Sequence, residues 1–286
     1  MIIEAVPNFS EGRRPEVCEK LADEARARGV RVLDLERDPD HHRSVLTFVG
    51  APDPTADAAF AVAAKAVELI DLTRHEGQHP RMGAIDVLPF VPLQGASMAD
   101  AVALARRVGE RIGKELGLPV FLYEAAATRP DRRNLAVIRK PQFEGLRELI
   151  GKDPDRVPDF GPNRIHPTAG CVAVGARMPL IAYNVDLETD DVGVAKKIAK
   201  KVRERDGGLP GIKALGLAIA DRKCAQVSMN VCDFTRTGLL EAFRAVEAEA
   251  AKLGVRVRSS EIVGLVPRAS LPPDGEQALR LAGFKP

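Results

Sequence analysis

The residues best suited to chemistry lie in one short segment, Arg74-His75-Glu76-Gly77-Gln78-His79-Pro80-Arg81-Met82-Gly83. This segment holds two of the five histidines of the chain. Histidine titrates near neutral pH, so it can accept and return a proton during a reaction. Pro80 restricts the backbone directly after His79, and Arg81 places a permanent cation beside it. We predict that His79 is a catalytic acid–base residue, against the simpler interpretation of a solvated loop histidine.

The same segment contains the pattern H-E-x-x-H, which binds zinc in metalloproteases when both histidines share one face of a helix. Gly77 lies inside the pattern, and Pro80 disfavours helical geometry at His79. No obvious third ligand follows in the next helical stretch. We therefore predict no metal site here.

Two other polar segments could contribute to the same site. In the segment 7–13, Asn8 and Ser10 could cap the following helix, and backbone N–H groups with Arg13 could bind an anion. The second segment is an acidic loop at 36–40 that continues into His41, His42 and Arg43. Solvated loop charge is the simpler interpretation of this second segment.

A decapeptide ahead of Cys171 is rich in glycine, proline and polar donors. Its residues are Gly161, Pro162, Asn163, Arg164, Ile165, His166, Pro167, Thr168, Ala169 and Gly170. This composition suits a flat heteroaromatic ligand held by backbone and amide hydrogen bonds, although a domain linker is the alternative. The chain has no G-x-G-x-x-G, no Walker lysine loop and no Gly-flanked nucleophile elbow, so no dinucleotide or ATP site is predicted.

Composition excludes several classes of protein. The 286 residues carry a formal net charge of +2, and only 4% are aromatic, with no tryptophan, which argues against a nucleic-acid partner. No apolar stretch approaches the roughly 18 residues of a membrane span. The beginning of the sequence lacks the features of a signal peptide, so we expect a cytoplasmic protein without a membrane partner. The four cysteines lack C-x-x-C spacing and are expected to be small buried residues.

Hydrophobic periodicity predicts the order β-α-β-β-α-β twice along the chain. The first set has strands at 2–6, 30–35, 44–49 and 85–91 and helices from 15 to about 28 and from 53 to about 70. The second has strands at 180–187, 212–220, 224–234 and 255–263 and helices at 192–202 and 239–253. Four further segments are predicted between the two sets. The first is a helix at 97–116, capped by Ser97 with Asp100. It is followed by a strand at 119–123, a polar linker or binding loop at 128–168 and a strand at 171–174.

This order is that of the ferredoxin-like unit. We therefore predict an α+β protein, an α/β sandwich built from two ferredoxin-like subdomains at 1–177 and 178–286. A ligand cleft or tunnel is expected between the two sheets.

Six separated motifs resemble the formiminotransferase domain family, and the resemblance covers nearly the whole chain. They are VPNFSEGR (Val6–Arg13), TFVG (Thr47–Gly50), HPRMGAIDVLPFVP (His79–Pro92), PDFGP (Pro158–Pro162), AQVSMN (Ala225–Asn230) and IVGLVP (Ile262–Pro267). The resemblance implies transfer of the formimino group of N-formimino-L-glutamate to tetrahydrofolate as co-substrate, in histidine degradation, by a homodimer without a metal. It also implies that this chain lacks the cyclodeaminase activity that accompanies the domain in animals.

The resemblance also implies roles for residues. His79 matches the catalytic histidine, and Gly161–Gly170 match the folate-binding segment, with Ala169 where some relatives have an aromatic residue. The aspartate that assists the histidine falls on Glu36, with Asp38 as a neighbouring candidate. Because both substrates carry carboxylates, Arg13, Arg43 and Arg81, with Asn8 nearby, are predicted to contact them.

Two alternatives remain open at this stage. One is formyl transfer between N-formylglutamate and folate, which differs by one oxygen-for-nitrogen exchange. The other is a folate-binding module without catalysis.

Overall fold

The computed structural model describes residues 1–77, 80–219 and 222–283. The chain forms two compact units, Met1–Arg177 and Met178–Pro286. In each unit, helices pack on a β-sheet, as the predicted α+β sandwich class requires. The predicted order β-α-β-β-α-β is present in both. None of the helices in the described ranges is both long and apolar enough to span a membrane.

The first unit is built on a seven-stranded sheet with the order β3-β4-(β1, β2)-β5-β7-β6. Its strands are β1 (Ile3–Ala5), β2 (Asn8–Phe9), β3 (Arg31–Asp38), β4 (Arg43–Gly50), β5 (Ile85–Pro92), β6 (Val120–Glu124) and β7 (Val172–Ala176). Its longer helices are α1 (Pro15–Arg26), α2 (Pro52–Leu69) and α3 (Met98–Glu115). Strands β5, β7 and β6 run parallel, whereas β1 to β5 pair antiparallel. The strand predicted at 2–6 corresponds to β1, and β2, which was not predicted, begins after Pro7, whose nitrogen has no hydrogen to donate to a ladder.

Local sequence signals account for the starts of these helices. Proline occupies the first turn of α1 and of α2, where a missing N–H costs nothing. The predicted capping box of α3 is confirmed, because the Ser97 side chain accepts from the N–H of Asp100 and the Asp100 carboxylate accepts from the N–H of Ser97.

The segment 128–168, expected to be a linker or a binding loop, contains two short helices, α4 (Leu135–Arg139) and α5 (Gln142–Leu149). Their apolar side chains form one cluster with those of β5, β6 and β7. The strand residues in this cluster alternate with those that face α1 to α3, so the segment covers the opposite face of the sheet. The two helices in this segment were not predicted from the sequence.

The second unit is a four-stranded antiparallel sheet with the order β11-β8-β10-β9. Its elements are β8 (Ile181–Leu187), α6 (Val192–Val202), β9 (Ile212–Ile219), β10 (Cys224–Val231), α7 (Leu239–Lys252), β11 (Val257–Val263) and α8 (Gly275–Ala278). In β10, the alternate residues Val227, Met229 and Val231 are buried in the helix-facing core.

Each unit buries one of the two tyrosines of the chain. Tyr123 lies in the first unit, and its burial raises the pKa of its hydroxyl to about 12. Tyr183 lies in the second unit, where its hydroxyl donates to Oγ of Ser260 over 3.1 Å. Burial also raises the pKa of Tyr183.

Candidate active site

The turn between β2 and α1 is organised by the buried carboxylate of Glu11. One oxygen accepts the backbone N–H groups of Arg13 and Arg14 over 2.9 and 3.0 Å, and the other accepts Nε of Arg14 over 2.5 Å. Burial alone would raise the pKa of Glu11, but these hydrogen bonds lower it below its usual value. Glu11 therefore supplies an anion at the start of α1, where the helix dipole favours one.

The predicted capping by Asn8 and Ser10 was wrong. The N-cap residue of α1 is Arg14, whose side chain makes no capping bond. Asn8 donates instead to the carbonyl of Val6 and accepts from Arg43, and the Ser10 hydroxyl donates to the carbonyl of Gly83. Ser10 thereby joins the first strand to the loop that follows His79 in sequence.

His42 lies against Glu11 and adopts a positive φ of 51°. Its Nδ1 is 2.8 Å from the carbonyl oxygen of Glu76, and its Nε2 is 3.3 Å from the Glu11 carboxylate. Both of these partners are hydrogen-bond acceptors. The His42 ring also stacks on His75, with ring centres 4.1 Å apart.

His75 is buried and has partners at both ring nitrogens. Nε2 donates to the carbonyl oxygen of His42 over 2.9 Å, and Nδ1 accepts from Nε of Arg81 over 3.1 Å. This pattern defines a neutral ring with hydrogen on Nε2. Burial lowers the pKa of His75 below its usual 6.5, with a further decrease from the charges of His42 and Arg81. The backbone at His75 is extended, which does not provide the helical geometry of a zinc-binding H-E-x-x-H.

Gln78 and His79 lie outside the described residues, so the structure defines only the chain on either side of the predicted catalytic histidine. On the far side, the Arg81 guanidinium pairs with both carboxylate oxygens of Glu144 over 2.8 and 2.6 Å. It also donates to the carbonyl oxygen of His75 over 3.2 Å. Arg81 is thus held between α5 and His75.

Arg43, predicted to contact substrate, forms part of a buried ionic cluster. The carboxylate of Asp86, which is fully buried, accepts a hydrogen bond from Arg43 and forms an ion pair with Arg139, at 2.9 Å each. It also accepts the backbone N–H of Met82 over 2.8 Å. Burial would raise the pKa of Asp86, but the two guanidinium groups lower it below its usual value.

A cavity of about 380 Å³ opens beside Glu11 and His42. Its polar lining also includes Arg13, Arg14 and Arg74. Arg13 is exposed, and its Nε donates to the carbonyl oxygen of Pro39 over 3.1 Å. The cavity therefore combines two imidazoles (His42 and His75), two carboxylates (Glu11 and Asp71) and three guanidinium groups. The guanidinium groups exceed the carboxylates by one, which is compatible with an anionic small molecule.

The structure brings the C-terminal half of the predicted folate segment to the chain that flanks His79. The Thr168 carbonyl accepts from the N–H of Leu72 over 2.8 Å, and the Ala169 carbonyl accepts from the N–H of Ala84 over 2.9 Å. Gly170 and Gly83 form an antiparallel bridge. These contacts connect the segment to both sides of the loop.

The same half of this segment also forms a compact turn. Nδ1 of His166 accepts the N–H of Ala169 over 3.0 Å, and His166 and Gly170 exchange backbone hydrogen bonds. Nearer the start, Gly161 has a positive φ and packs against Gly113 of α3, where a side chain would collide. The remaining predicted residues are Pro162, Asn163, Arg164, Ile165 and Pro167, each partly or fully exposed.

Glu36 and Asp38 lie in β3 and not in the predicted loop, because the cross-strand pairing with β4 continues to Asp38. Asp38 accepts the backbone N–H of His41 and faces its Nδ1 over 2.6 Å, and these bonds lower the pKa of Asp38. Burial, with a smaller effect of Asp34, raises the pKa of Glu36. Neither acid lines the cavity beside Glu11.

Sequence reasoning missed Glu11 and Asp86 as organising residues. The available signals were an acid shortly before the N-terminal proline of α1 and an acid within an apolar strand. Buried carboxylates of this kind require partners, which neither spacing nor composition identifies.

Comparison with known proteins finds relatives over nearly the whole chain. Residues 2–177 match the family model for the N-terminal subdomain of the formiminotransferase domain, and residues 182–276 match that for the formiminotransferase domain. A glutamate formimidoyltransferase of Streptococcus pyogenes serotype M1 is 47% identical over 99% of this chain and 95% of its own length. That of Thermoplasma acidophilum is 47% identical over 99% of this chain and 94% of its own. The formimidoyltransferase-cyclodeaminase of Mus musculus is 39% identical over 94% of this chain and 51% of its own.

Proposed function

Because the chain belongs to the formiminotransferase domain family, we propose that it transfers the formimino group of N-formimino-L-glutamate to tetrahydrofolate. The products are 5-formimidoyltetrahydrofolate and L-glutamate, in histidine degradation. The observation that carries this proposal is the near-full-length match, at 47% identity, to two glutamate formimidoyltransferases. Formyl transfer and a non-catalytic folate-binding module are not favoured by these relatives.

The chemistry requires one group that both accepts and returns a proton. The N-5 amine of tetrahydrofolate attacks the amidine carbon, and a new C–N bond forms while N-5 loses its proton. The bond from that carbon to the glutamate nitrogen then breaks, and this nitrogen gains a proton. We assign both transfers to His79, which takes the first proton and delivers it to the leaving amine.

Residues of the folate segment Gly161–Gly170 are proposed to hold the pterin. The contacts of Thr168, Ala169 and Gly170 with the chain on both sides of His79 support this assignment. Backbone groups of such a rigid turn can recognise the edge of a heteroaromatic ring.

The carboxylates of the substrates are proposed to bind at the cavity beside Glu11, with Arg13 as a contact. Asn8, Arg43 and Arg81 are proposed to act indirectly, since Arg43 pairs with Asp86 and Asn8, and Arg81 with Glu144. The acid that assists His79 is proposed to be Glu36 or Asp38.

We further propose a homodimer that acts in the cytoplasm. All four cysteines are free thiols, which is typical of a reducing compartment.

The test is to compare wild type with His79→Asn in consumption of N-formimino-L-glutamate. Turnover should fall about 100-fold or more. Tetrahydrofolate should still raise the melting temperature of the variant, since binding to the folded state is retained. Retention of most turnover would remove His79 from the mechanism, and absence of turnover in wild type with either the formimino or the formyl donor would refute the proposed activity.

A further inference from the structure

His75 and Arg81 contact each other across the segment that contains His79. Five residues separate them in sequence, yet Nε of Arg81 donates to Nδ1 of His75 over 3.1 Å. The same guanidinium donates to the carbonyl oxygen of His75 over 3.2 Å. Side chain and backbone of His75 are therefore both fixed to Arg81, so the two residues that flank the segment 76–80 are held to each other.

Helix α5 holds the Arg81 end of this loop. The Arg81 carbonyl accepts the backbone N–H of Phe143 over 3.0 Å, and its guanidinium pairs with both oxygens of Glu144. The side chain of Arg81 is only 11% exposed, whereas that of Glu144 is 63% exposed. A two-point pair of this kind fixes the orientation of a guanidinium as well as its location.

The His75 end is held by β4 and the turn that precedes it. The ring of His75 stacks on His42 and donates to the carbonyl oxygen of His42. His42 in turn contacts the carbonyl of Glu76 and the buried Glu11. Both ends of the loop are thus attached to elements that are distant in sequence.

We propose that His75, Arg81 and Glu144 form a clasp that positions His79 for proton transfer. The inference rests on the proposed role of His79 in formimino transfer. In this proposal the three residues do not contact the reacting atoms and act as positioning residues. Helix α5 supports them through the pair of Glu144 with Arg81. A base must lie within hydrogen-bond reach of the proton that it moves, so loosening its loop lowers turnover more than binding.

The clasp depends on a neutral His75. Protonation of Nδ1 removes the acceptor for Arg81 and places a second cation against it. Among the described residues, the titratable and charged groups that face this ring are His42 in the turn before β4, Glu11 before α1, Arg81 and, through Arg81, Glu144 on α5. Lowering the pH until His75 is protonated therefore breaks the hydrogen bond from Arg81 to Nδ1 of His75.

Two conservative substitutions weaken the clasp while keeping side chains of similar size. Arg81→Lys keeps the charge but cannot form the two-point pair, and Glu144→Gln keeps the shape but loses the charge. The matched control is Glu148→Gln, on the same helix, because Glu148 pairs only with the exposed Lys152 at 3.5 Å among described residues. We expect kcat to fall about tenfold or more for Arg81→Lys and less for Glu144→Gln, with KM and the tetrahydrofolate-induced melting shift within about twofold of wild type. Glu148→Gln should match wild type.

The decisive measurement combines these changes with His79→Ala. If the clasp acts through His79, then Arg81→Lys and Glu144→Gln change the residual rate of His79→Ala by less than about twofold. The inference is overturned if their effects multiply with that of His79→Ala, or if both leave kcat unchanged in the wild-type background. Wild-type turnover in His79→Ala overturns the inference by removing His79 from the mechanism, whereas absence of turnover in the wild-type protein overturns the proposed function, so the two failures are distinguishable.

Discussion

Replacing Asp86 with asparagine should destabilise the first unit strongly, because one carboxylate there compensates two buried guanidinium groups. Asp86 is 0% exposed, and it forms ion pairs with Arg43 and Arg139 at 2.9 Å each. Nε of Arg139 is buried and has no hydrogen-bond partner among the described residues. Asparagine can still accept the N–H of Met82, but it removes the negative charge that both guanidinium groups face. Removing one partner of a buried ion pair typically costs about 3–5 kcal/mol of the free energy of unfolding.

This cost is large on the scale of a domain. For units of about 150–250 residues, each kcal/mol lowers the melting temperature by roughly 2–4 °C, so a decrease of about 6–20 °C is expected. Thermal unfolding of the full chain followed by circular dichroism measures it. The control is Asp57→Asn, which breaks the exposed pair with Arg111 at 2.9 Å and should cost no more than about 1 kcal/mol. Equal melting temperatures for the two variants would refute the view that Asp86 neutralises buried charge.

Three further predictions follow from local structure. Gly170→Ala should lower the free energy of unfolding by at least about 2 kcal/mol, because φ is +72° and the new Cβ would lie 2.2 Å from the carbonyl oxygen of Met82. The control Gly117→Ala, at φ +61° with no atom within 4 Å, should cost only about 1–2 kcal/mol. Urea unfolding measures both. Ser97→Ala should cost about 1 kcal/mol in the same assay, since the capping box of α3 is lost. The pKa of His75 is lower in the folded protein than in the unfolded chain, so the stabilising effect of His75 is complete above the unfolded pKa near 6.5 and decreases as pH falls from there toward the folded pKa. The difference in melting temperature between wild type and His75→Gln should therefore shrink over that range. A difference independent of pH would contradict the assignment of a neutral His75.

Elements governed by local signals were predictable from the sequence. The helix α6 begins and ends at the predicted residues, because Asp191 caps it and its apolar side chains repeat at helical spacing. The capping box of α3 is equally local, since both partners lie within three residues. Such signals need no knowledge of the tertiary fold.

Elements governed by distant partners were not predictable. The acidic stretch at Glu36 and Asp38 has the composition of a loop, yet it stays in β3 because β4 supplies its hydrogen bonds. The start of α1 is stabilised by Glu11 instead of the residue types that usually cap helices. For the candidate site, the sequence predicted the segments that contribute to it. The contacts of the predicted folate segment with the residues that flank His79 could not be predicted, because they depend on the tertiary fold.

The placement of one buried tyrosine in each unit makes the protein its own spectroscopic reporter. With no tryptophan in the chain, ultraviolet emission comes from Tyr123 and Tyr183 alone. Replacing either one with phenylalanine leaves a signal from a single half, so the melting of the two halves can be recorded separately without any attached dye. A pH near 11 lies above the usual pKa of tyrosine and below the raised pKa of folded Tyr123. At that pH the hydroxyl of Tyr123 ionises mainly when the first unit unfolds, so the absorbance of the phenolate reports the unfolding of that unit.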